Sequence, residues 1–268
     1  MIVKNETVGI VVPTYNSGQY VARTIQSVIN QEYRDWVLLL SDDGSTDDTA
    51  KIVQEFMKTD DRIRWLAAAE GHVGVCNARR RAIAAADTEW IAFLDSDDVW
   101  RPDKLRVQME AAREKQADFL FTAANFVDEN DRMLEYTHHV PERIGFPEIL
   151  KQDIIHCSSV LIRKELLGDT FRATDEDVCE DFAAWIRIMR DRKVDAVGVD
   201  VPLLLYRRRS ESRSANKLLN AYRVIKTYQA CDLSVREMVW AWCHYVYRSL
   251  SKYTRIWIGK KKDQRDSV

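Results

Sequence analysis

Acidic residues are grouped in three short clusters of this 268-residue chain. Residues 42–47 follow the apolar run Trp36–Leu40, and Asp95–Asp98 follow the apolar run Trp90–Leu94. The third cluster is the pair Glu180-Asp181. Carboxylates at strand ends can hold a hard divalent cation or take a proton from a substrate.

The cluster Asp95–Asp98 favours a metal site. Its three carboxylates repel one another unless a cation or solvent separates them, and Mg²⁺ or Mn²⁺ accepts carboxylate and diphosphate oxygens as ligands. The alternative is a solvated loop that caps the next helix. Because the preceding run is apolar enough to form a buried strand, we expect the acids to lie at the ligand-binding edge of a sheet. There they would hold the metal.

The other two clusters each have a structural explanation. A turn and a helix N-cap account for residues 45–47, but less well for the adjacent pair Asp42-Asp43, one of which could accept a proton from a nucleobase. Both interpretations stand. Acids such as Glu180-Asp181 are common in a first helical turn because of the helix dipole, so their meaning depends on the other clusters.

Alternating apolar runs and helical patterns in the first 117 residues predict a parallel sheet covered by helices. Ligands bind such sheets at the carboxyl ends of the strands. The predicted strands are Val8–Val12, Trp36–Leu40, Ile63–Leu66 and Trp90–Leu94, and the predicted helices are residues 20–31, a segment after Asp47, 75–86 and 103–115.

The pattern changes after Asp118. Mixed strands there predict a second half of the same sheet rather than an independent domain. We expect strands at residues 119–126, 132–136, 158–162, 196–199 and 203–206, and a helix that carries Trp185. The last fifty residues predict two helices, the second beginning with a capping box of Ser234 and Glu237.

Composition excludes several classes of protein. With 46% hydrophobic and 31% charged residues, the chain is neither disordered nor fibrous, and a net charge of −2 does not suit a nucleic-acid coat. Residues 216–268 carry 11 Lys or Arg and 4 Asp or Glu, so this segment is +7 and the remainder −9. Five scattered cysteines, a start unlike a signal peptide and no membrane-spanning run predict a cytoplasmic protein.

Five motifs occur in order along the chain: Val11-Val12-Pro13-Thr14-Tyr15-Asn16, Asp42-Asp43-Gly44-Ser45-Thr46-Asp47, Gly74 with Ala78-Arg79, Phe93-Leu94-Asp95-Ser96-Asp97-Asp98, and Glu180-Asp181. In this order and spacing, over roughly residues 8–215, they resemble the family 2 glycosyltransferases of GT-A fold. The chain looks most like bacterial glycosyltransferases of teichuronic-acid and exopolysaccharide biosynthesis.

The resemblance implies an α/β fold of GT-A, Rossmann-like type: a mixed, mainly parallel sheet with helices on both faces. It also implies a catalytic domain over residues 1–215, with a nucleotide-sugar half of about 1–117 and an acceptor half of about 118–215. Residues 216–268 would be a helical extension rich in basic and aromatic residues.

Roles in donor binding follow from the resemblance. Tyr15 would pack on the nucleobase, Asp43 would accept its ring N–H, and Asp95 would face the ribose or the donor sugar. Asp42 and Arg79 would line the nucleoside and the diphosphate. The expected donor-binding residues are Pro13, Thr14, Tyr15, Asp42, Asp43, Arg79, Asp95, Ser96, Glu180 and Arg207.

The resemblance further implies Asp97 as the main ligand of Mn²⁺ or Mg²⁺, with Asp98 assisting, and Asp181 as the general base. A single base opposite the leaving group predicts inversion at the anomeric carbon. Arg80 departs from the family, which usually has Asn after Ala-Arg.

The expected function is therefore metal-dependent, inverting transfer of a sugar from a nucleotide-diphosphate sugar, usually UDP-linked, to a glycan or a polyprenyl-linked saccharide. A nucleotidyltransferase would normally have a glycine-rich, basic loop after strand one, unlike Pro13–Gly18. A non-catalytic nucleotide-sugar-binding protein is the other alternative, and the presence of both Asp97 and Asp181 argues against it.

Two basic segments admit two interpretations each. Arg207–Arg209, followed by a serine-rich stretch, would be either a surface loop or a lid whose guanidinium groups bind the diphosphate. Aromatic and cationic residues alternate from Arg236 to Lys262, which suits peripheral contact with an anionic membrane or a helix packed on the catalytic domain or a partner subunit.

Overall fold

The computed structural model describes residues 6–68, 71–172, 177–208 and 217–245. Its strands are β1 (Val8–Thr14), β2 (Trp36–Asp42), β3 (Ile63–Leu66), β4 (Trp90–Phe93), β5 (Val99–Trp100), β6 (Phe119–Val127), β7 (Met133–His138), β8 (Arg143–Ile144), β9 (Leu161–Arg163) and β10 (Ala196–Arg207). Its helices are α1 (Val21–Ile29), α2 (Thr49–Met57), α3 (Val75–Ala85), α4 (Lys104–Lys115), α5 (Phe146–Ile149), α6 (Lys164–Leu167), α7 (Glu180–Arg192), α8 (Lys217–Ala230) and α9, described over 235–245.

All of these strands belong to one sheet, in the order β3-β2-β1-β4-β9-β6-β10-β5, with β7 on β6 and β8 on β10. Strands β1 to β4 are parallel to one another. Because β9 is antiparallel to both β4 and β6, β6 runs in the direction of β4, and β10 is parallel to β6. The carboxyl ends of β1, β2, β4, β6 and β10 therefore share one edge.

Helices cover both faces of the sheet, which explains why every residue of β1 is buried. Residues Val8, Ile10 and Val12 face the core formed with α1, α2 and α4, whereas Val11 faces the core formed with α3, α7 and α8. The predicted α/β, mixed and mostly parallel fold is confirmed, and both halves of the chain contribute to the same sheet.

One large aromatic side chain fixes the position of α7. Trp185 is fully buried, and its ring lies 5.3–5.7 Å from the rings of Phe93, Phe119 and Phe171. Since Phe93 is the last residue of β4, this packing holds α7 close to the carboxyl end of that strand. The acidic start of α7 is thereby directed toward the same region as the acids that follow β4.

Two sequence-based element predictions were wrong in detail. Residues 196–199 and 203–206 belong to one strand, β10, whose register with β6 shifts around Pro202; proline lacks the N–H that a regular ladder needs. The predicted strand at 158–162 is instead a 3₁₀ turn at Cys157–Ser159 followed by β9.

The helix α9 begins with the predicted capping box: the backbone N–H of Ser234 donates to Glu237 at 2.8 Å. Ala241 is buried against the core, whereas Val235, Val239 and Trp240 are 71%, 58% and 41% exposed. None of the described helices has the length and hydropathy required to cross a bilayer.

Candidate active site

Asp43 lies just beyond β2, and its carboxylate is 2% exposed. It accepts the backbone N–H groups of Val73 and Gly74, each at 2.9 Å, and lies 2.7 Å from Nδ1 of His72. The His72 ring stacks on the half-exposed ring of Tyr15 with the ring centres 4.1 Å apart. An aromatic face and an adjacent carboxylate therefore stand together at the ends of β1 and β2.

Asp42, the last residue of β2, organises the turn that follows it. Its carboxylate accepts hydrogen bonds from the Thr14 hydroxyl at 3.2 Å and the Gly44 backbone N–H at 3.1 Å, and from both the backbone N–H and the hydroxyl of Ser45. Pro13, next to Thr14 in β1, is buried beneath this turn. These bonds favour the structural interpretation for Asp42, whereas Asp43 is connected to the Tyr15 ring through His72.

The loop Asp95–Asp98 is held by hydroxyl groups from other segments. The Thr24 hydroxyl donates to the carbonyl oxygens of Ser96 and Asp98 at 3.0 and 2.9 Å. The Ser158 hydroxyl accepts the backbone N–H of Asp95 at 3.0 Å, and the hydroxyl groups of Ser96 and Ser17 are 2.7 Å apart. This support presents three carboxylates in a fixed arrangement beyond β4.

Asp98 is 1% exposed. Its Oδ1 accepts the backbone N–H of Arg207 at 2.9 Å, whereas no group among the described residues hydrogen-bonds its buried Oδ2. Burial, together with the carboxylates of Asp97 and Asp95, raises the pKa of Asp98 well above its usual range. A crowded set of carboxylates with one orphaned oxygen fits a divalent cation, and Asp97 in the same loop is half-buried.

Among the described residues, the side chains of the protein do not by themselves complete a cation site in this region. Within the described parts of the chain, no three His, Cys, Asp or Glu side chains are arranged to hold a metal ion. A cation bound at Asp97 would therefore need oxygen ligands from a substrate or from water, as Mg²⁺ usually has.

Arg79 connects the acids after β4 with those at the start of α7. Its guanidinium group, 4% exposed, donates to Asp95 at 2.6 Å and to Glu180 at 2.9 Å. A buried arginine paired with two carboxylates is costly to break, so it fixes the two acidic segments relative to each other. The sequence motifs at residues 79, 95 and 180 are thus brought into one contact.

Asp181 lies beside this contact, in the first turn of α7. Burial and the neighbouring negative charge of Glu180 raise the pKa of Asp181 to about 6, against the opposing effect of Arg79. Burial, followed by the carboxylates of the Asp95–Asp98 loop and of Asp181, also raises the pKa of Tyr206. Asp97 and Asp181 therefore both act electrostatically on a single phenol group.

Comparison with known proteins identifies the family. The model of "Glycosyl transferase family 2" matches residues 9–171, more than half of the chain. This chain belongs to glycosyl transferase family 2. The enzyme is therefore a glycosyltransferase, and the expected family is confirmed.

Two curated relatives resemble the glycosyltransferase over most of its length. TuaG of Bacillus subtilis, named as a glycosyltransferase of teichuronic acid biosynthesis, is 31% identical over 91% of this chain and 96% of its own. WfgD of Escherichia coli is 32% identical over 78% of this chain and 80% of its own, and is named a UDP-Glc:α-D-GlcNAc-diphosphoundecaprenol β-1,3-glucosyltransferase.

Solved structures show the same fold as the glycosyltransferase. S. aureus TarS in complex with UDP-GlcNAc has a TM-score of 0.70 at 18% identity, covering 91% of this chain and 73% of the TarS chain. The mannosyltransferase PcManGT of Pyrobaculum calidifontis, in complex with GDP-Man and Mn²⁺, has a TM-score of 0.65 at 16% identity, with 91% and 70% covered.

Arg207 of the glycosyltransferase is not in a lid. It is the last residue of β10, and its side chain is 1% exposed. The guanidinium group donates to the carbonyl oxygens of Asp97 and Asp128 at 2.9 and 3.0 Å and pairs with Asp131. It therefore braces the Asp95–Asp98 loop instead of reaching for a diphosphate. Arg208 is exposed, and its backbone N–H donates to the carbonyl oxygen of Val127 at 2.8 Å; residues 209–214 of the expected lid lie outside the described residues.

Sequence reasoning gave no role to several residues of the glycosyltransferase site. Thr24 and Ser158 support the Asp95–Asp98 loop through single hydroxyl groups, and hydroxyl residues in an apolar helix or before a strand carry no distinctive pattern. His72 belongs to no motif in the sequence. Its closeness to Gly74, the residue before α3, was the one available signal.

Proposed function

We propose that this enzyme transfers a sugar from a nucleotide-diphosphate sugar, most readily a UDP-sugar, to a saccharide acceptor with inversion at the anomeric carbon. The named activity of WfgD and the UDP-GlcNAc bound by TarS support this proposal. The single observation that carries it is the buried Arg79, which joins Asp95 to the start of α7 and so brings the base Asp181 to the strand-end carboxylates.

The donor nucleotide would bind at the ends of β1 and β2. Tyr15 would stack on the base, because its aromatic ring is half-exposed at this edge. Asp43 would accept the ring N–H of the base, because its carboxylate is the one next to that ring, in contact with His72. The donor sugar would then extend toward Asp95. In this arrangement residues 1–117 would bind the donor, and residues 118–215 would bind the acceptor.

Asp181 would act on the acceptor. As the acceptor hydroxyl oxygen attacks the anomeric carbon, its proton passes to the Asp181 carboxylate. The bond between the anomeric carbon and the diphosphate oxygen breaks, and its electron pair leaves with the nucleoside diphosphate. Attack from the face opposite the leaving group inverts the configuration of that carbon.

Asp97, with assistance from Asp98, would hold Mn²⁺ or Mg²⁺ together with diphosphate oxygens. When bound, the cation stabilises the negative charge that develops on the leaving group. Arg207 and Thr24 keep the loop that carries these acids in place.

A donor screen by calorimetry tests this function. Wild-type enzyme is titrated with UDP-Glc, UDP-GlcNAc, GDP-Man and a dTDP-sugar, with Mn²⁺ and with a chelator. We expect a UDP-sugar to bind only with Mn²⁺, and we expect transfer from it to a short-chain lipid carrying GlcNAc-diphosphate. Binding of none of the four donors in either condition would refute the proposal.

Transfer should depend on pH through Asp181. A general base must be ionised, so with a pKa of about 6 the value of kcat/KM should fall about tenfold per pH unit below that value and level off above it. In Glu180→Gln the midpoint should move to lower pH, because a neighbouring negative charge is removed. A midpoint that stays near 6 in this variant would contradict the assignment.

His72 should compete with the nucleobase. Its ring occupies the Tyr15 face and the Asp43 carboxylate that the base would use. Replacing it with Ala should lower the calorimetric Kd for UDP by about 2- to 10-fold, since an aromatic pair contributes about 0.5–1.5 kcal/mol. Weaker binding of UDP by His72→Ala would instead show that the histidine forms part of the bound site.

We also propose that α9 and the following segment bind an anionic membrane surface. The helix exposes Val235, Val239, Trp240 and Trp242 while packing through Ala241. Residues 246–268 carry seven Lys or Arg and two Asp, which complements anionic headgroups. A lipid-linked acceptor, as in the name of WfgD, would place the substrate at that surface.

Flotation with vesicles of phosphatidylglycerol and phosphatidylethanolamine tests the membrane proposal. Val239→Ser with Trp240→Ser should reduce the bound fraction, and high salt should reduce it further. Tyr222→Ser, which alters an exposed aromatic residue on α8, is the matched control and should bind as the wild type does. Equal flotation of all three proteins would rule out a membrane role for this face of α9.

A further inference from the structure

A group of histidine and aromatic side chains lies beside the carboxylates and has no role in donor or metal binding. We call it the histidine–aromatic cluster; its members are Phe126, Tyr136, His138, His156 and Tyr206. All of its members come from the half of the chain after residue 118. In the proposed function, none of these five residues binds the donor.

The cluster is built on two neighbouring strands. Phe126 and Tyr206 are register partners near the carboxyl ends of β6 and β10, with ring centres 5.6 Å apart. The ring of His156 lies over Tyr206 at 4.9 Å, tilted by 34°. His138, from β7, approaches from the other side: its Nδ1 is 3.0 Å from Nε2 of His156, so one imidazole donates a hydrogen bond to the other.

The cluster borders the reacting groups on the side away from the nucleobase residues. In the sheet, β1 and β2 lie on one side of β4, whereas β6 and β10 lie on the other. Tyr206 is within electrostatic range of Asp97 and Asp181. His156 lies two residues before Ser158 in the sequence, and the Ser158 hydroxyl accepts the backbone N–H of Asp95. A second substrate that approaches these strand ends from the side of β6 and β10 would therefore meet this cluster.

We propose that the histidine–aromatic cluster binds the terminal pyranose of the acceptor, which deepens the proposed function and rests on it. A pyranose has an apolar C–H face that packs on aromatic rings and hydroxyls that hydrogen-bond to imidazole nitrogens at the ring edges. Phe126 is 7% exposed and anchors the cluster, whereas Tyr136 is 50% exposed and leaves its outer end open to a ligand.

Acceptor kinetics test this inference. His138→Phe and His156→Phe each keep a ring and remove the imidazole nitrogens, and the acceptor probe is GlcNAc-diphosphate on a short alkyl chain. We expect the KM for the probe to rise about 3- to 10-fold, the loss expected for one hydrogen bond, while the calorimetric Kd for UDP stays within about twofold. Tyr136→Ala, at the exposed end, should raise the same KM without threatening the fold.

His139→Gln is the matched control. This histidine is next to His138 in sequence, but it is 71% exposed and pairs with Asp200 at 3.1 Å, so the KM for the probe should equal that of the wild type. An unchanged KM in His138→Phe, His156→Phe and Tyr136→Ala, whatever their Tm, would overturn the inference and make the cluster a packing feature.

The same experiment separates this inference from the proposed function. A wild-type enzyme that binds UDP-sugar but transfers nothing to the probe would overturn the inference and leave donor binding intact. A wild-type enzyme that binds no donor would overturn the proposed function itself.

Discussion

Replacing Asp181 with Asn is expected to lower the rate of sugar transfer by about 10²–10⁴-fold, the usual contribution of a general base. The amide has nearly the same shape as the carboxylate but cannot take the acceptor proton. Phe182, whose backbone N–H donates to Oδ1 of residue 181 at 2.8 Å, can keep that bond to the amide oxygen. Single-turnover transfer from the donor chosen by calorimetry measures the effect.

Donor binding separates a loss of chemistry from a loss of structure in this variant. The calorimetric Kd of Asp181→Asn for UDP-sugar with Mn²⁺ should remain within about twofold of the wild-type value, because Asp181 would contact the acceptor. Asp181→Asn with full transfer activity would remove the residue from its role as the base.

Asp153 provides a matched control for the base. Burial of its carboxylate and the nearby charge of Asp181 raise the pKa of Asp153. Asp153→Asn should keep most of the transfer activity, since Asp153 makes no contact with the Arg79 pair. A large loss in Asp153→Asn and none in Asp181→Asn would assign the base to Asp153.

The strand ends that carry the acids could be predicted because buried parallel strands read as short apolar runs. Ile63–Leu66 was predicted at its observed bounds, and β1 and β2 were each predicted two residues short because they end in polar residues. The pairing of strands across the sheet was harder to predict from the sequence. The strand β5, for example, has only two residues, too few to show an alternation of apolar and polar residues.

The composition of the acidic clusters indicated a functional site, but it did not indicate which acid of a cluster takes which role. Asp42 and Asp43 are adjacent residues of the same type, yet Asp42 is hydrogen-bonded by the turn that follows it, whereas Asp43 accepts the backbone N–H groups of Val73 and Gly74 before α3. Arg207 was expected in a flexible loop because arginine and serine follow it. Its burial depends on carbonyl groups of residues 97 and 128, which only the folded chain brings near.

The histidine pair shows what sequence could not provide. Residues 138 and 156 are 18 positions apart, and their contact arises from the way β7 pairs with β6, with a register irregularity at residues 125–126. No periodic pattern links a strand residue to a residue in the segment before a 3₁₀ turn. Chemistry that depends on such a contact becomes visible only when the topology is known.

Asp97→Asn should nearly abolish transfer and weaken Mn²⁺-dependent binding of UDP-sugar. Replacing groups that merely support a ligand typically costs about 10- to 100-fold in metal affinity, so loss of the ligand itself should cost at least about 100-fold. Titrating Mn²⁺ at a fixed UDP-sugar concentration and following transfer measures the apparent affinity. We expect excess Mn²⁺ to restore only part of the activity.

Asp98→Asn is the matched variant for this prediction. The buried Asp98 accepts the backbone N–H of Arg207 through one oxygen, a bond that an amide oxygen can retain, and burial and its acidic neighbours already raise the pKa of Asp98 and favour its uncharged form. We therefore expect a smaller loss of Mn²⁺ affinity than in Asp97→Asn. Because burial and the neighbouring acids disfavour the charged form of Asp98, an uncharged amide at this position should give an equal or higher Tm in Asp98→Asn without Mn²⁺. A greater loss of Mn²⁺ affinity in Asp98→Asn than in Asp97→Asn would make Asp98 the main ligand and reverse the order proposed here.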